Sequence, residues 1–412
     1  MRARRRELLL GGAAMGAGAA LGRIPGLGSG AAVAAGAAAP AEGELAESFA
    51  FDGAHQAGIL TPRQRRAIFA SFDAIAPARA ELADGLRTLS ERARALCTGY
   101  DALLGAPGEG PTPDSGVLGN TVSPDALTVT IGFGAALFDD RYGLAARRPR
   151  GLREMPAFPD DDLHAAESHG DVIVQLCANT DETLLHALRD LSRATRGVLG
   201  PRWKVEGFLP SPDRESGAGR NLLGFKDGTA NPDTGNEATM GELVWTGREE
   251  PAWARGGTYQ VVRIIRNRVE FWDRVSRGEQ ELMIGRDKAR GAPLGRAAER
   301  DDPDYGADPQ GRRIPLDAHI RLARPRTEAT EGSQILRRGY NYSRGIDEAD
   351  QLDMGLVFVA FQRDIARQFE AVQKRLAGEP LVDYVVPTGG GYFFLPPGAR
   401  DSQDWVGSGL FI

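Results

Sequence analysis

Two runs of this chain repeat one design about 185 residues apart: DVIVQLCANTDETLLHALRDLSRATRG from Asp171 and MGLVFVAFQRDIARQFEAVQKRLAG from Met354. In the first, an apolar strand and a polar cap lead into a helix with Leu184, Leu188, Leu191 and Thr195 on one face, stopped by Gly197. In the second, the strand Leu356 to Phe361 is followed by the cap Asp364, then by Ile365, Phe369, Val372 and Leu376 at helical spacing, and Gly378 ends the pattern. A chain that carries such a unit twice is expected to fold as two similar halves.

The segments ahead of each unit correspond as well. HQAGILTPRQRRAIFASFDA leads into the helix-like PARAELADGLRTLSERARAL, and GGTYQVVRIIRNRVEFWDRV again runs from strand to helix. Further strand candidates are ALTVTIGFG in the first half and DYVVPTGGGYFFLP in the second. Strand edges such as QVVRII are partly polar, which suits antiparallel sheets with helices on one face better than a doubly wound parallel sheet. The expected class is therefore α+β with a duplicated domain. The stretch from Gly285 to Pro315, rich in Gly, Pro and charge, reads as a functional or mobile insertion in the second half.

The first forty-two residues differ in kind. MRARRRELLLGGAAMGAGAALG has a basic start and a short apolar run diluted by Gly and Ala, as in a secretory signal. Arg5-Arg6 followed by Glu7, Leu8 and Leu9 resembles the twin-arginine export signal, with Arg4 where that pattern prefers Ser or Thr. An uncleaved anchor is the alternative, but Leu8 to Leu21 is short and glycine-rich for spanning a bilayer. The expected location is periplasmic, or extracellular and cell-envelope, and twin-arginine export hints at a cofactor loaded before transport. No membrane span is expected in the mature chain, and a net charge of -6 without a basic stripe argues against nucleic-acid binding. Cys97 and Cys177 are the only cysteines; Cys177, inside an apolar run, reads as a buried thiol, with a disulfide as the alternative. No C-x-x-C-H occurs, which excludes a covalently attached c-type haem.

Histidine is scarce, and His55, His164, His169, His186 and His319 make up the full set. His186 reads as a partly solvated helix residue, and His55 as a structural residue opening the first strand. His164 and His169, in FPDDDLHAAESHGD, leave a weak surface metal site as a minor alternative, since they are five residues apart with no matching ligand cluster. His319, in IPLDAHIRLARPRT, lies in an apolar patch yet is flanked by Arg321, Arg324 and Arg326. A single imidazole beside guanidiniums that can hold two carboxylates suits a b-type haem, while a buried histidine bonded to backbone is the structural alternative. NLLGFKDGTANP, residues 221 to 232, places a lone acid, Asp227, on a loop hinged by Gly224 and Gly228. Alone it reads as an Asx-type turn.

Together these segments resemble the dye-decolourising peroxidases. The G-x-x-D-G signature of that family stands at Gly224 to Gly228, and FDGAHQAGILTP, LTVTIGFG, DVIVQLCAN, AHIRLARPRT, LRRGYNYS, GLVFVAFQRD and GGGYFF look like its blocks in its order. The resemblance runs from about Phe51 to the end and is nearest the exported deferrochelatase/peroxidase branch. It implies paired ferredoxin-like halves: a signal at 1–42, an N-terminal domain at 43–215 and a haem-binding C-terminal domain at 216–412. It also implies one non-covalent haem b per chain, with His319 resembling the proximal ligand, Asp227 the distal acid-base and Arg337 the distal arginine. Gly228, Thr229, Ala230, Arg324, Pro325 and Arg326 resemble the haem-contacting stretches, and Phe358 the distal aromatic. The branch often has Asn where this chain has Arg324, and another branch carries a distal Asn where Gly339 stands.

The implied activity is reduction of hydrogen peroxide through a ferryl state, with oxidation of organic donors such as dyes and phenols. In that reaction a base moves a proton between the two peroxide oxygens, a task a carboxylate can perform, while a guanidinium stabilises charge on the departing oxygen. The second nitrogen of the proximal histidine should donate to an acceptor, for which Asp383 is the candidate. Trp272, Tyr340, Tyr342 and Tyr392 are candidate surface relays to bulky donors, Trp272 and Tyr392 being equally suited to the core. A haem-handling protein that releases or delivers iron, with iron-uptake partners, is the second expectation, and a haem-free ligand-binding module the third. A homo-oligomer is compatible with the chain.

Overall fold

The computed structural model describes residues 42–102, 111–347 and 349–412. The expected export signal lies outside these residues except for its last position. The first half follows the order strand β1 (Arg66–Ala74), helix α1 (Arg79–Thr98), strands β2 (Thr128–Gly134) and β3 (Val172–Ala178), helix α2 (Asp181–Ala194) and strand β4 (Leu199–Phe208). After a linker carrying α3 (Glu237–Leu243), the second half repeats the series. Strand β5 (Thr258–Asn267) leads through α4 (Arg277–Ile284) and α5 (His319–Ala323) to strands β6 (Tyr340–Ile346) and β7 (Leu352–Gln362), then helix α6 (Phe369–Leu376) and strand β8 (Val385–Leu395). The insertion expected at Gly285 to Pro315 lies in the crossover between β5 and β6 and contains no helix or strand of its own.

Each half forms a four-stranded antiparallel sheet with its fourth strand beside the first, the first beside the third and the third beside the second: β4-β1-β3-β2 and β8-β5-β7-β6. This is the duplicated α+β, ferredoxin-like arrangement expected from the repeat. The sheets also join edge to edge. Phe133 and Gly134 of β2 face Phe394 and Phe393 of β8, and Phe208 of β4 faces Asn341 of β6. The eight strands thereby close into a ring, which removes the free edges that each sheet alone would expose.

Residue alternation along the strands divides the core. Phe69, Ile173, Val262, Ile264, Val357, Val359 and Phe361 fill the interior of the ring. Ile68, Ala70, Phe72, Val129, Ile131, Val174 and Leu176 point outward from the first sheet, in one cluster with Leu82, Leu86 and Leu89 of α1 and Leu184, Ala187 and Leu191 of α2. Thr180 caps α2, its side chain accepting from the Thr183 amide. His186, expected to be partly solvated, is instead buried, its Nε2 3.1 Å from Asp114, because the helix turns it towards the 111–118 segment. His55 does not open a strand: it sits in a turn ahead of β1, stacked on Trp245 at 3.6 Å, with Nδ1 2.8 Å from the Gly256 carbonyl.

Both cysteines are buried free thiols, and burial pushes Cys97 up to about 12. Neither should react with a thiol reagent until the protein is denatured. Phe361→Ala, which empties a site in the ring interior, should cost about 3–5 kcal/mol in a urea titration.

Candidate active site

The outer face of the second sheet is covered differently from that of the first. Ile265 of β5, Leu356 and Phe358 of β7 and Val385 of β8 form the floor of a cavity of about 280 Å³, with α5, α6 and the insertion as walls. His319, Asp227 and Arg337, distant in sequence, all line it.

His319 is the first residue of α5, and the end of that short helix is held by Arg375 of α6, whose guanidinium donates to the carbonyls of Leu322 and Ala323 at 2.9 and 3.0 Å. Nδ1 of His319 lies 2.9 Å from both carboxylate oxygens of Glu379, which is 5% exposed. Burial by itself would lower the proton affinity of the imidazole, but the Glu379 charge and hydrogen bond outweigh it and leave the value raised. With Nδ1 bound to Glu379, Nε2 is the nitrogen left for a metal, and a carboxylate partner both orients the ring and makes it a stronger donor.

The acceptor is therefore Glu379 and not Asp383. Gly378, at φ 73°, ends α6 and turns the chain back so that the next residue reaches the imidazole. The 3₁₀ turn Pro380–Asp383 then carries the side chain of Asp383 out to solvent.

The Asp227 loop is built from its own polar groups. The Asn221 side chain accepts from the amides of Leu223 and Phe225, both at 3.1 Å, and Trp272 donates to the Leu223 carbonyl at 3.0 Å. Lys226 ties the loop to the insertion through Glu299 at 2.7 Å. Gly228, at φ 87°, makes the turn that follows the acid. Three residues further on, Asn231 accepts from the Arg337 amide at 3.1 Å and donates to its carbonyl at 2.7 Å. This clamp holds the loop against the two-residue strand Leu336–Arg337, and the Arg337 guanidinium donates to Asp227 Oδ1 at 2.8 Å. Burial would raise the Asp227 carboxyl, but the charges of Arg337 and then Arg63 prevail and hold it below the usual carboxylate range.

Positive charge gathers at the rim. Arg286, Arg324, Arg326 and Tyr305 line the cavity. Burial first, and then the neighbouring Arg337 charge, lowers Arg286. Arg324 Nε and the Tyr305 hydroxyl are buried without a hydrogen-bond partner among the described residues. Arg324 is paired with Glu331 at 3.2 Å and Arg326 with Asp302 at 2.7 Å, both partners lying towards solvent. Spare donors and guanidiniums at one end of an apolar cavity, with an imidazole presenting Nε2, fit a flat apolar cofactor that carries carboxylates and a metal.

Among the expected contact residues, Thr229, Ala230, Arg324, Arg326 and Phe358 line the cavity, whereas Gly228, Pro325 and Asp383 do not. Trp272, Tyr340, Tyr342 and Tyr392 are at most 2% exposed, packed in the core, and so are not surface stations. His164 and His169 join no cluster of three or more metal-ligating side chains among the described residues. Glu379, Tyr305, Arg286 and Arg63 were not singled out from the sequence, and Asn231 only as part of the run that continues the Asp227 signature. Glu379 had a local signal as an acid directly after a helix-ending glycine, and Arg286 and Tyr305 lie in the insertion read as functional or mobile.

A cavity of this chemistry beneath a paired acid and arginine defines a haem peroxidase site. The family model described as Dyp-type peroxidase, N-terminal, matches residues 56–209, and the one described as Dyp-type peroxidase, C-terminal, matches residues 218–400. The chain belongs to the Dyp-type peroxidase family, and is a haem-dependent enzyme that uses haem b. A deferrochelatase of Escherichia coli (strain K12) is 50% identical over 370 residues, which cover 87% of this chain and 86% of that protein, and one of Shigella sonnei matches equally. Among solved structures, a DyP-type peroxidase from Cellulomonas bogoriensis superposes with a TM-score of 0.80 at 37% identity, covering 89% of this chain and 99% of its own. Ferric DtpA from Streptomyces lividans gives a TM-score of 0.80 at 35% identity, covering 91% and 100%.

Replacing Glu379 with Gln keeps the shape of the His319 partner but removes its charge. Haem transfer from the variant to apomyoglobin should be about 10–100-fold more favourable than from the wild type. Potentiometry should place its ferric/ferrous couple higher, because a less anionic imidazole stabilises ferric iron less.

Proposed function

We propose that this chain is an exported peroxidase in which Asp227 and Arg337 act on hydrogen peroxide at a single, non-covalent haem b held by His319. The observation that carries the reading is the 2.8 Å pair of Arg337 and Asp227, facing the same cavity as an imidazole already bound to Glu379. Simple carriage of haem has no use for an ionised acid buttressed by a guanidinium. Haem b, when bound, supplies redox-active iron and carries oxidising equivalents from peroxide to donor. His319 Nε2 would be its ligand, and Arg324, Arg326, Arg286 and Tyr305 would receive its carboxylates.

The protein's own part is proton handling. Asp227, kept ionised, takes the proton from one peroxide oxygen and returns it to the other, which leaves as water. Arg337 holds the carboxylate in place and offsets negative charge on the leaving oxygen. Two organic donors then each give up one hydrogen atom equivalent, so that one peroxide and two donors become two waters and two donor radicals. Dyes and phenols are donors of this class.

Export by the twin-arginine route, to the periplasm or cell envelope, is supported by Arg5-Arg6 and the short apolar run after them. Among the described residues no helix is long and apolar enough to cross a membrane. Iron release from haem, the role named by the deferrochelatase relatives, is a second reading that rests on their 50% identity.

Asp227→Asn should slow the reaction of haem-loaded protein with peroxide about 10²–10⁴-fold in stopped-flow absorbance, with the ferric spectrum retained. An unchanged rate would demote Asp227 to a loop residue. Because Arg337 and Arg63 hold the Asp227 value down, the base form persists into acid solution. The wild-type rate should therefore fall only as pH drops through that depressed value, and Arg337→Leu should move the acid limb to higher pH.

A further inference from the structure

We infer that Asp160, brought to the cavity by a segment of the first half, is a positioning residue for Glu379 and, through it, for the imidazole of His319. The inference rests on the reading of His319 as the haem ligand. Among the described residues, Asp160 and Asp161 are the only ones ahead of Asn221 that line the cavity. They lie in FPDDD, residues 158–162, on the connection between β2 and β3, so the first half contributes to the cavity at this one place.

The segment is laid along β8. The amides of Asp162, His164 and His169 donate to the carbonyls of Pro387, Thr388 and Gly390 at 3.0, 2.7 and 2.7 Å. Glycines permit this approach: a Cβ on Gly389 would lie 2.5 Å from the Glu167 carbonyl oxygen, and one on Gly391 3.2 Å from His169 Cα. The run GGGYFF is thus the seat of a first-half segment.

Asp161 sets the register of that segment. It pairs with Arg263 of β5, and both side chains are 1% exposed. The guanidinium lies over the rings of Phe158 and Phe369, 5.2 and 5.8 Å from their centroids, and its Nε and Nη1 are buried without a hydrogen-bond partner among the described residues. A buried pair so incompletely satisfied is a poor source of stability, because desolvation offsets the Coulombic gain; its best-attested use is to select one register among several. The register selected here puts the neighbouring carboxylate, Asp160, at the end of α6.

There Asp160 Oδ2 accepts from the Gly378 amide at 3.2 Å. Gly378, at φ 73°, makes the turn that aims Glu379, and a Cβ on it would meet nothing within 4 Å, so side-chain packing does not hold the turn. A carboxylate that accepts its amide restrains it instead. Glu379 then meets Nδ1 of His319 with both oxygens at 2.9 Å. Through these contacts the first half governs the imidazole of the second.

The test compares Asp160→Ala and Asp160→Asn with the wild type and Glu379→Gln, all haem-loaded. Asp161 and Arg263 are left intact, since removing either strands a buried charge. Asp160 is partly exposed, so its loss leaves the Gly378 amide to water. Asn at this position lacks the charge but keeps an oxygen that can accept from Gly378. Asp160→Ala should speed amide hydrogen exchange at Glu379 and Val382, whose amides bond within the turn, about threefold or more. It should also raise the ferric/ferrous potential by about a third or more of the shift produced by Glu379→Gln. Asp160→Asn should stay near the wild type in both readouts, which a role of charge alone would not allow. Wild-type exchange in Asp160→Ala, or an Asp160→Asn that behaves as Asp160→Ala, would overturn the inference. So would faster exchange with an unmoved potential where Glu379→Gln does shift it. Faster exchange with a potential that neither Asp160→Ala nor Glu379→Gln moves would uphold Asp160 as the brace of the turn and refute His319 as the ligand.

Discussion

Closure of two four-stranded sheets into one ring is the constraint on which the rest of the molecule depends. Each sheet has two apolar faces to remove from water, and facing them inward disposes of one face from each in a single shared interior. The outer faces remain. The first half covers its own with two long helices whose apolar faces share one buried cluster with the sheet. The second half has only short helices and a long crossover, so its outer face becomes the floor of a cavity. The cavity belongs to the second half because its sheet is the one left incompletely covered.

Within that cavity the acidic and basic groups are paired across long stretches of sequence. Glu379 sets the character of His319, Arg337 that of Asp227, and Asn231 fixes the backbone from which Arg337 extends. Each functional group thus has a partner that fixes its position and biases its charge. The two pairs have opposite consequences: a carboxylate makes the imidazole more basic, and guanidiniums make the carboxylate less so. A strong donor on one side of the cavity and an ionised proton acceptor on another arise from the same electrostatics with the signs exchanged.

Much of this was legible in the chain. The two strand-helix runs predicted a duplicated α+β fold, since alternation and helical spacing report which residues face a core whatever that core is. Asp227 and His319 stood out locally as a hinged acid and a histidine among arginines, but their roles, and Arg337 altogether, were named through the family resemblance. Other readings failed where burial depends on distant packing. His186 was read as partly solvated because nothing near it in sequence announces Asp114, and Tyr340 and Tyr342, read as surface relays, proved to be core residues for the same reason, whereas Trp272 and Tyr392 took the core position that the chain left open for them. Asp383 was a reasonable acceptor by composition, but a positive-φ glycine and a 3₁₀ turn presented Glu379 to the imidazole instead.

The sequence by itself determined the repeat, the strand and helix faces, the hinged acid and the histidine set among arginines, because these are properties of neighbours along the chain. Tertiary structure alone decided which acid meets His319, that Arg63 from the first half lies beside Asp227 of the second, and that the two sheets close on each other. Those outcomes depend on where strands separated by more than a hundred residues come to pair, and on the turns that aim individual side chains across the resulting space, neither of which a local pattern encodes.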